Sequence, residues 1–154
     1  MVRLDDMSLE NSKHLLEKDC PEFETTPFVA GPPLRERRVA IVTTAGLHRR
    51  SDENFNVSDL SYRVISGDTQ LNDLVMTQGS VNFDRSGFQQ DVNVVFPLDR
   101  LREMVQLDEI GSVANFHYAF NGAGQLAPAF EPTAREVGRM LKEDGVDAAV
   151  LVPV

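Results

Sequence analysis

The sequence has few of the features that mark a secreted or membrane-bound protein. It has a single cysteine, Cys20, so it forms no internal disulfide and no Cys-x-x-Cys pair, as is usual in a reducing compartment. No apolar run approaches the roughly 20 residues of a spanning helix. The N-terminal region carries Asp5, Asp6 and Glu10 and lacks the basic-then-apolar order of a signal peptide. We therefore expect a cytoplasmic protein that makes no contact with a membrane.

Basic residues are also scarce relative to acidic ones. The chain has 15 Lys and Arg residues against 24 Asp and Glu residues, which gives a formal net charge of -9 at pH 7. A phosphate backbone would be repelled by this charge, so nucleic acid is not an expected partner. The length of 154 residues, with 42% hydrophobic and 25% charged residues, is typical of one soluble globular domain.

Residues 1–37 are predicted to form an extended N-terminal arm, and residues 38–154 the α/β domain. Ser8–Asp19 is predicted to be a short helix, and the prolines that follow, including Pro32 and Pro33, oppose regular structure. Such an arm wraps its own domain or a partner subunit. Cys20 has acidic neighbours that disfavour a thiolate, and we interpret it as an incidental thiol.

Apolar runs within the domain predict an open, mostly parallel sheet in a three-layer arrangement of the flavodoxin or Rossmann type. Val39–Thr44 and Val146–Val154 are apolar on both faces, which predicts that both strands are central in the sheet. Further strands are predicted at Tyr62–Ser66, Leu74–Thr77 and Ser112–Phe120.

Two helices are predicted within the domain. Pro97 suits a first helical position, Asp99 suits the first turn, and apolar residues at helical spacing continue to about residue 107. Thr133 and Glu136 have the spacing of a capping box and predict a helix that ends at Asp144–Gly145.

Asn82–Met104 is the stretch around which a functional site is predicted. Six charged or amide side chains fall within residues 84–93 and are followed by Val94–Phe96 and a helix, so a polar loop is held by a firmly packed element. An ordinary surface connection rich in turn residues remains an equal alternative. If the stretch is functional, we expect residues 82–96 to lie over the carboxyl edge of the sheet and to line a pocket with His48.

Candidate site residues lie in or after several of the predicted strands. The strand exits are expected to lie along one edge of the sheet, at Gly46–His48, Gly67–Asp68, Gln78–Asp84, Asn121–Gly124 and Val154. His48 comes directly after a buried strand and is either a functional group or a plain loop residue. His117 is either catalytic or a satisfied structural histidine. Arg63 is either a clamp for a substrate carboxylate or a solvated strand residue. Gly122–Gly124 weakly matches the dinucleotide fingerprint, although Pro128 falls where the helix of that motif would run.

Several motifs in order give the chain a resemblance to a known family. The motifs are Val39–His48, Tyr62–Arg63 with Gly67–Asp68, Phe83–Asp84, Asp91–Asn93, Phe96–Leu101, Ile110–Gly111, His117 and Gly145–Val154. Together, over residues 38–154, they resemble the selenoprotein B family of glycine, sarcosine, betaine and D-proline reductases. At Thr77–Gln78 the sequence departs from the family, where a histidine is expected.

The resemblance implies a reductase subunit in which a selenocysteine, or a cysteine in some relatives, attacks a carbon that bears nitrogen. It also implies an oligomeric complex with other reductase subunits, one of which contains a pyruvoyl group, and a small amine or amino acid as substrate. The family's selenocysteine would follow Val154, so we expect a domain that is incomplete at its C-terminus and inactive alone. No cofactor or metal is expected in this chain.

Residue type and position at strand ends supply the individual assignments. Catalytic roles are predicted for His48, Asp84 and His117, and substrate-binding roles for Gly46, Arg63, Asp68, Asn82 and Gln90. Two other function classes stay open. One is a nucleotide- or flavin-binding module built on the glycine loop, and the other is a scaffold subunit without catalytic activity.

Overall fold

The computed structural model describes residues 4–17, 22, 25–26, 28–80 and 83–154. The strands within these residues are β1 (Arg38–Thr43), β2 (Leu47–Arg49), β3 (Tyr62–Ser66), β4 (Leu74–Met76), β5 (Ser112–Val113), β6 (Phe116–Phe120) and β7 (Ala148–Val152). The α-helices are α1 (Leu9–Leu16), α2 (Ser86–Gln90), α3 (Leu98–Gln106) and α4 (Glu131–Glu143). The chain is therefore an α/β protein, as predicted.

The main sheet is curled, mixed and mostly parallel, and β1 is its central strand. β7 pairs in parallel with β1 on one side, and β5 and then β6 pair in parallel with it on the other. β3 forms the far edge and runs antiparallel to β6. Val39, Ala40 and Ile41 in β1 are at most 3% exposed, because strand partners flank this run and packed layers cover it. The prediction that the first strand is central is confirmed.

The prediction that the last strand is also central is wrong. Among the described residues β7 pairs with β1 alone, and the side chain of Leu151 is 71% exposed. An apolar run shows that a strand can be covered on its faces. It does not show how many strands pair with it, and that is why the sequence misled here.

Two further strand predictions were wrong in direction or in place. β3 is antiparallel to β6, with Ser66 opposite Phe116, so Gly67–Asp68 lies at the amino edge of β1 and β6. β4 belongs to a separate two-stranded sheet with β2. The exits of β1 and β3 therefore lie at opposite edges of the main sheet, because an antiparallel strand reverses its carboxyl end.

The strand predicted at 112–120 is interrupted by a bulge. Val39 pairs with Val113 and Val42 with Tyr118, so three steps along β1 match five along its neighbour. Two extra residues, 114–115, are thus inserted between β5 and β6. The Asp144 carboxylate holds this bulge by accepting hydrogen bonds from the backbone N–H and the side-chain amide of Asn115, at 2.7 and 2.9 Å.

An apolar cluster packs against each face of the sheet, although part of β7 stays exposed. One joins Ile41 to β2, β4 and α3 and contains the fully buried Leu98 and Phe96. The other joins Tyr118 and Phe120 to α4 through Val137. The alternation of side chains along β1 and β6 produces this division, and each face is covered by at least one helix.

The helix predictions are largely confirmed. α3 begins after Pro97 with Asp99 in its first turn, and α4 ends before Asp144–Gly145, where Gly145 has φ +68°. The capping box at Thr133 is wrong, because α4 begins two residues earlier, at Glu131. The Thr133 hydroxyl instead donates a hydrogen bond to the carbonyl of Leu60, 2.9 Å away.

The N-terminal arm contains α1, as predicted from residues 8–19. Leu9 and Phe28 in this region are each 89% exposed. Cys20 lies outside the described residues. Among the described residues no helix has both the length and the apolar character that crossing a membrane requires. The division of the chain at residue 37 stays a prediction.

Candidate functional site

The carboxyl end of β1 turns sharply at Gly46, which has φ +65°. The Gly46 N–H donates to the carbonyl of Phe120 at 2.8 Å, and its carbonyl accepts from the N–H of Thr77 at 3.0 Å. A Cβ at this position would lie 2.9 Å from the backbone nitrogen of Gln78. Glycine is thus required twice, for the left-handed conformation and for the close approach of the loop that follows β4.

Gln78 ties that loop to the exit of β1. Its side chain is 4% exposed, and its amide nitrogen donates to the carbonyl of Thr44 at 3.0 Å. The Thr44 hydroxyl accepts a 2.8 Å hydrogen bond from the N–H of Val154. Gly122, after β6, packs closely enough that a Cβ there would lie 2.8 Å from the Thr44 Cβ. The loop after β4, the segment after β6 and the residues around Val154 therefore all meet the exit of β1 at this edge of the sheet.

Asn121 holds a further segment, the loop around Asn56, at the same edge. The residue is fully buried, and its side-chain amide donates to the carbonyl of Asn56 at 2.9 Å. Its side-chain oxygen accepts from the N–H of Ala123 at 3.3 Å. α4 begins only at Glu131, so the glycine loop does not open directly into an α-helix as the dinucleotide fingerprint requires.

Asp84 and Arg85 stand at the start of α2, within the stretch predicted to be functional. The Asp84 carboxylate accepts a 2.9 Å hydrogen bond from the N–H of Ser86, which lowers the pKa of Asp84 and keeps it ionised at neutral pH. Arg85 donates through Nη2 to the carbonyls of Gln78 at 2.6 Å and Ser80 at 3.3 Å. The pair therefore lies beside the loop that Gln78 holds against β1.

His48 is 1% exposed and packs at the edge of the Phe55 ring, with ring centroids 6.2 Å apart. Its Nδ1 lies 2.8 Å from the carbonyl oxygen of Arg49, which can only accept, so Nδ1 carries the proton of the neutral ring. Nε2 is then an acceptor, and none of the described residues forms a hydrogen bond with it. A buried histidine with one unpaired nitrogen is a group that can exchange a proton once a donor reaches it.

His117 is fully buried, and its Nδ1 accepts a 2.9 Å hydrogen bond from the N–H of Ile41. This bond satisfies a β1 amide beside the two-residue bulge. Burial, with a smaller contribution from the Arg102 charge, lowers the pKa of His117 to about 4, so the ring is neutral at pH 7. The structural interpretation of His117 accounts for these contacts, and its catalytic role stays a prediction.

Arg63 has no N–H left for a ligand. Nε donates to the carbonyl of Glu53, and the two terminal nitrogens make four further bonds, including one to the Asp59 carboxylate at 3.2 Å. The guanidinium also lies 4.2 Å from the centroid of the Phe55 ring. Five donors with five acceptors hold the loop that precedes β3. Arg63 is therefore not a solvated strand residue, and it has no free N–H groups with which to clamp a substrate carboxylate.

The remaining predicted residues are dispersed. Asp68 is exposed at the amino edge, where it lines a shallow cavity of about 480 Å³ together with Arg102. It is not near Gly46, contrary to the expectation of one shared edge. Gln90 is exposed at the last position of α2. Asn82 lies outside the described residues, which also contain no group of three or more residues suited to hold a metal ion.

Four polar residues at the carboxyl edge were given no individual role from the sequence, although Gln78 and Asn121 were expected at this edge and Arg85 within the stretch 82–104: Thr44, Gln78, Arg85 and Asn121. Three of them come shortly after a strand, which is a signal that the sequence does carry. The burial of Gln78 and Asn121, and the hydrogen bonds that join Gln78 to Thr44 and Arg85, depend on how the loops meet in space and are not visible in the sequence.

Comparison with known proteins gives the wider context. The chain is 38% identical over 120 residues to the D-proline reductase subunit gamma of Acetoanaerobium sticklandii, which covers 77% of this chain and 49% of that protein. It is 28% identical over 150 residues to the sarcosine reductase complex component B subunit beta of Peptoclostridium acidaminophilum, covering 93% of this chain and 34% of that protein.

The chain therefore spans about half the length of the first of these relatives and about a third of the second. No solved structure matches it. Residues 7–154 match the model of the glycine/sarcosine/betaine reductase selenoprotein B family. This match covers nearly the whole sequence and agrees with the resemblance seen in its motifs. The chain belongs to the glycine/sarcosine/betaine reductase selenoprotein B family.

Proposed function

We propose that this chain forms part of the substrate site of a selenol- or thiol-dependent reductase that reductively cleaves the C–N bond of glycine, sarcosine, betaine, D-proline or a related amine. The observation that supports this most directly is the convergence of several polar loops at the carboxyl end of β1. Open α/β sheets bind small ligands at this edge. The hydrogen bonds of Gln78 and Asn121 hold the loops there.

Asp84 is assigned to the nitrogen end of the substrate. Glycine, sarcosine, betaine and D-proline each carry a positive charge on nitrogen at neutral pH. Asp84 is exposed and ionised, since the hydrogen bond from Ser86 lowers its pKa. An ionised carboxylate next to a positively charged nitrogen favours binding and orients the C–N bond.

His48 is assigned to proton transfer in preference to His117. Cleavage of the C–N bond leaves the electron pair on nitrogen, and the departing amine then takes up a proton. Among the described residues neither Nε2 of His48 nor Nε2 of His117 has a hydrogen-bond partner, so the preference for His48 rests on its position two residues after Gly46. In the neutral ring Nε2 of His48 is an acceptor, so it would first take up the proton that the selenol or thiol releases when it attacks, and would then pass that proton to the departing amine. His117 instead supports β1, and its lowered pKa makes it a poor proton donor at neutral pH.

The nucleophile is proposed to come from outside residues 1–154. The sequence contains one cysteine, Cys20, whose acidic neighbours disfavour a thiolate. A selenol or thiol supplied by the rest of the reductase would attack the carbon that bears nitrogen. We further propose a flavodoxin-like three-layer fold, an oligomeric assembly with other reductase subunits, a pyruvoyl-containing one among them, and action in the cytoplasm.

Amine release by a reconstituted reductase tests the proposal. The chain is added to a reductase system whose component B subunit lacks only the region that corresponds to residues 7–154, and release of amine from the four substrates is measured. We expect no release from the isolated chain and release when the remaining components are supplied. Failure to support release of any of the four amines in the complete system would refute the proposed function, and release by the isolated chain would refute the external nucleophile.

Asp84→Asn tests the assigned role of the carboxylate, with Asp91→Asn as a matched control. Asp91 is also exposed and also accepts a 2.9 Å hydrogen bond from the N–H two residues ahead, but it lies at the other end of α2. We expect about a tenfold rise in KM with Asp84→Asn, the loss typical of one charge-assisted contact. Equal effects of the two substitutions would show that Asp84 acts only on the local turn.

A further inference from the structure

Arg85 differs from most other arginines in the described part of the chain. Eight of these arginines lie within 4.0 Å of a carboxylate oxygen, at residues 35, 38, 49, 63, 100, 102, 135 and 139. Arg37, Arg50 and Arg85 have no such partner among the described residues. Arg37 donates to the carbonyl of Pro32 and Arg50 to that of Asn72. Of the three, Arg85 is the one at the carboxyl edge of β1.

The anchoring of Arg85 leaves most of its donors available. Only Nη2 is engaged, by the carbonyls of Gln78 and Ser80. Nε and Nη1, which together carry three N–H donors, make no hydrogen bond in the described structure. Gln78 is itself buried and bonded to Thr44, so one side of the guanidinium is fixed to a rigid segment. The other side is exposed.

Within the described part of the chain the charge of Arg85 also has no counterion, although the net charge of the protein is -9. Its neighbour Asp84 bonds to Ser86 and forms no ion pair with Arg85 within 4.0 Å. Two adjacent residues therefore present opposite, uncompensated charges at one edge of the sheet. A zwitterion whose cationic nitrogen and carboxylate are joined through one carbon complements this arrangement.

We propose that Arg85 binds the carboxylate of the substrate and so selects α-amino carboxylates from other amines. This inference rests on the proposed function, and it adds a specificity determinant that the sequence alone had placed at Arg63. Arg63 has all five donors engaged within its own loop, so a carboxylate would have to displace existing hydrogen bonds. Arg85 offers unused donors on a supported side chain.

Paired ligands that differ in the carboxylate test the proposal. Betaine and choline share a quaternary ammonium group, and choline carries a hydroxymethyl group in place of the carboxylate. Each is titrated into the full chain at low ionic strength and followed by nuclear magnetic resonance. The variants are Arg85→Gln and, as a control for the lost charge, Arg139→Gln. Arg139 lies on α4 and pairs with Glu143, which lines a cavity at the amino edge.

We expect Arg85→Gln to weaken betaine binding by about tenfold to a hundredfold and to leave choline binding unchanged. Arg139→Gln should leave the affinity for both ligands unchanged. Undiminished betaine binding by Arg85→Gln, or an equal loss for choline, would overturn the role of Arg85 while the proposed function stands. If the unmodified chain binds none of betaine, glycine, sarcosine and D-proline, the proposed substrate site fails and this inference fails with it.

Discussion

The stability of this protein should depend on pH through His117. The ring is buried, its Nδ1 accepts from the N–H of Ile41, and burial lowers its pKa from 6.5 to about 4. The unfolded chain therefore binds a proton at a higher pH than the folded one. A depressed folded-state pKa gives stability that is fully present above pH 6.5 and is lost as the pH falls towards 4.

The difference between a pKa of 6.5 in the unfolded chain and about 4 in the folded one corresponds to about 3.4 kcal/mol, at about 1.36 kcal/mol per pH unit. Linkage over the accessible part of this range gives a loss of about 2 kcal/mol between pH 7.5 and pH 5. His117→Gln removes the titrating group and retains a side-chain oxygen that can accept from Ile41. Between pH 7.5 and pH 5 the free energy of unfolding of this variant should fall by about 2 kcal/mol less than that of the unmodified protein. The variant is nevertheless expected to be less stable at pH 7.5.

Urea unfolding of both proteins at several pH values between 5 and 7.5 measures the difference. Carboxylates that titrate in the same range affect both proteins equally and cancel when the two curves are subtracted. The imidazole resonances of His117 give the folded-state pKa independently. Parallel stability curves for the two proteins, or a resonance that titrates near pH 6.5, would refute the assignment of His117 as a buried neutral acceptor.

Two further predictions concern the turn at β1 and the bulge. Gly46→Ala should lower the free energy of unfolding by more than about 2 kcal/mol, because it adds a contact of 2.9 Å to the strain of a positive φ. Gly138→Ala, at a helical position with no atom within 4 Å, should instead raise it by about 0.5–1 kcal/mol in the same urea experiment. Asp144→Ala should lower the free energy of unfolding by about 2–4 kcal/mol, since it leaves a partly buried arginine and the bulge amides without their acceptor. Glu143→Ala removes an exposed ion pair and should change it by less than about 0.5 kcal/mol, and equal losses at 143 and 144 would contradict this account of the bulge. Burial acts to raise the pKa of Asp144, but the hydrogen bonds from Arg38 and Asn115 outweigh it and lower that pKa, so this stabilisation should persist above pH 3.8 and be lost as the pH falls further.

The sequence predicted best those elements whose pattern depends on local chemistry. β1 was identified from an unbroken apolar run. α3 was identified from Pro97, Asp99 and helical spacing, and the end of α4 from Gly145. In each case the residues that make the pattern are close together in the chain, so the physical cause can be read without knowledge of the fold.

The direction of a strand and the hydrogen-bond partners of a long side chain could not be predicted from local sequence in the same way. Nothing in Tyr62–Ser66 states whether its neighbour runs parallel or antiparallel, and this choice placed Asp68 at the opposite edge from Gly46. Arg63 and Arg85 have the same side chain and were distinguished only by the acceptors that surround them. Those acceptors lie in loops whose positions depend on the whole fold.

The length of the bulge at residues 114–115 determines which changes of chain length this strand pair can accept. An insertion of two residues leaves the alternation of side chains in phase, so Val113 and Ala119 stay on the face of Ile41 while Tyr118 stays on the face of Val42. Removing one residue would invert that phase and direct Tyr118 into the wrong core. Natural variation in length at this position is therefore expected to occur in steps of two.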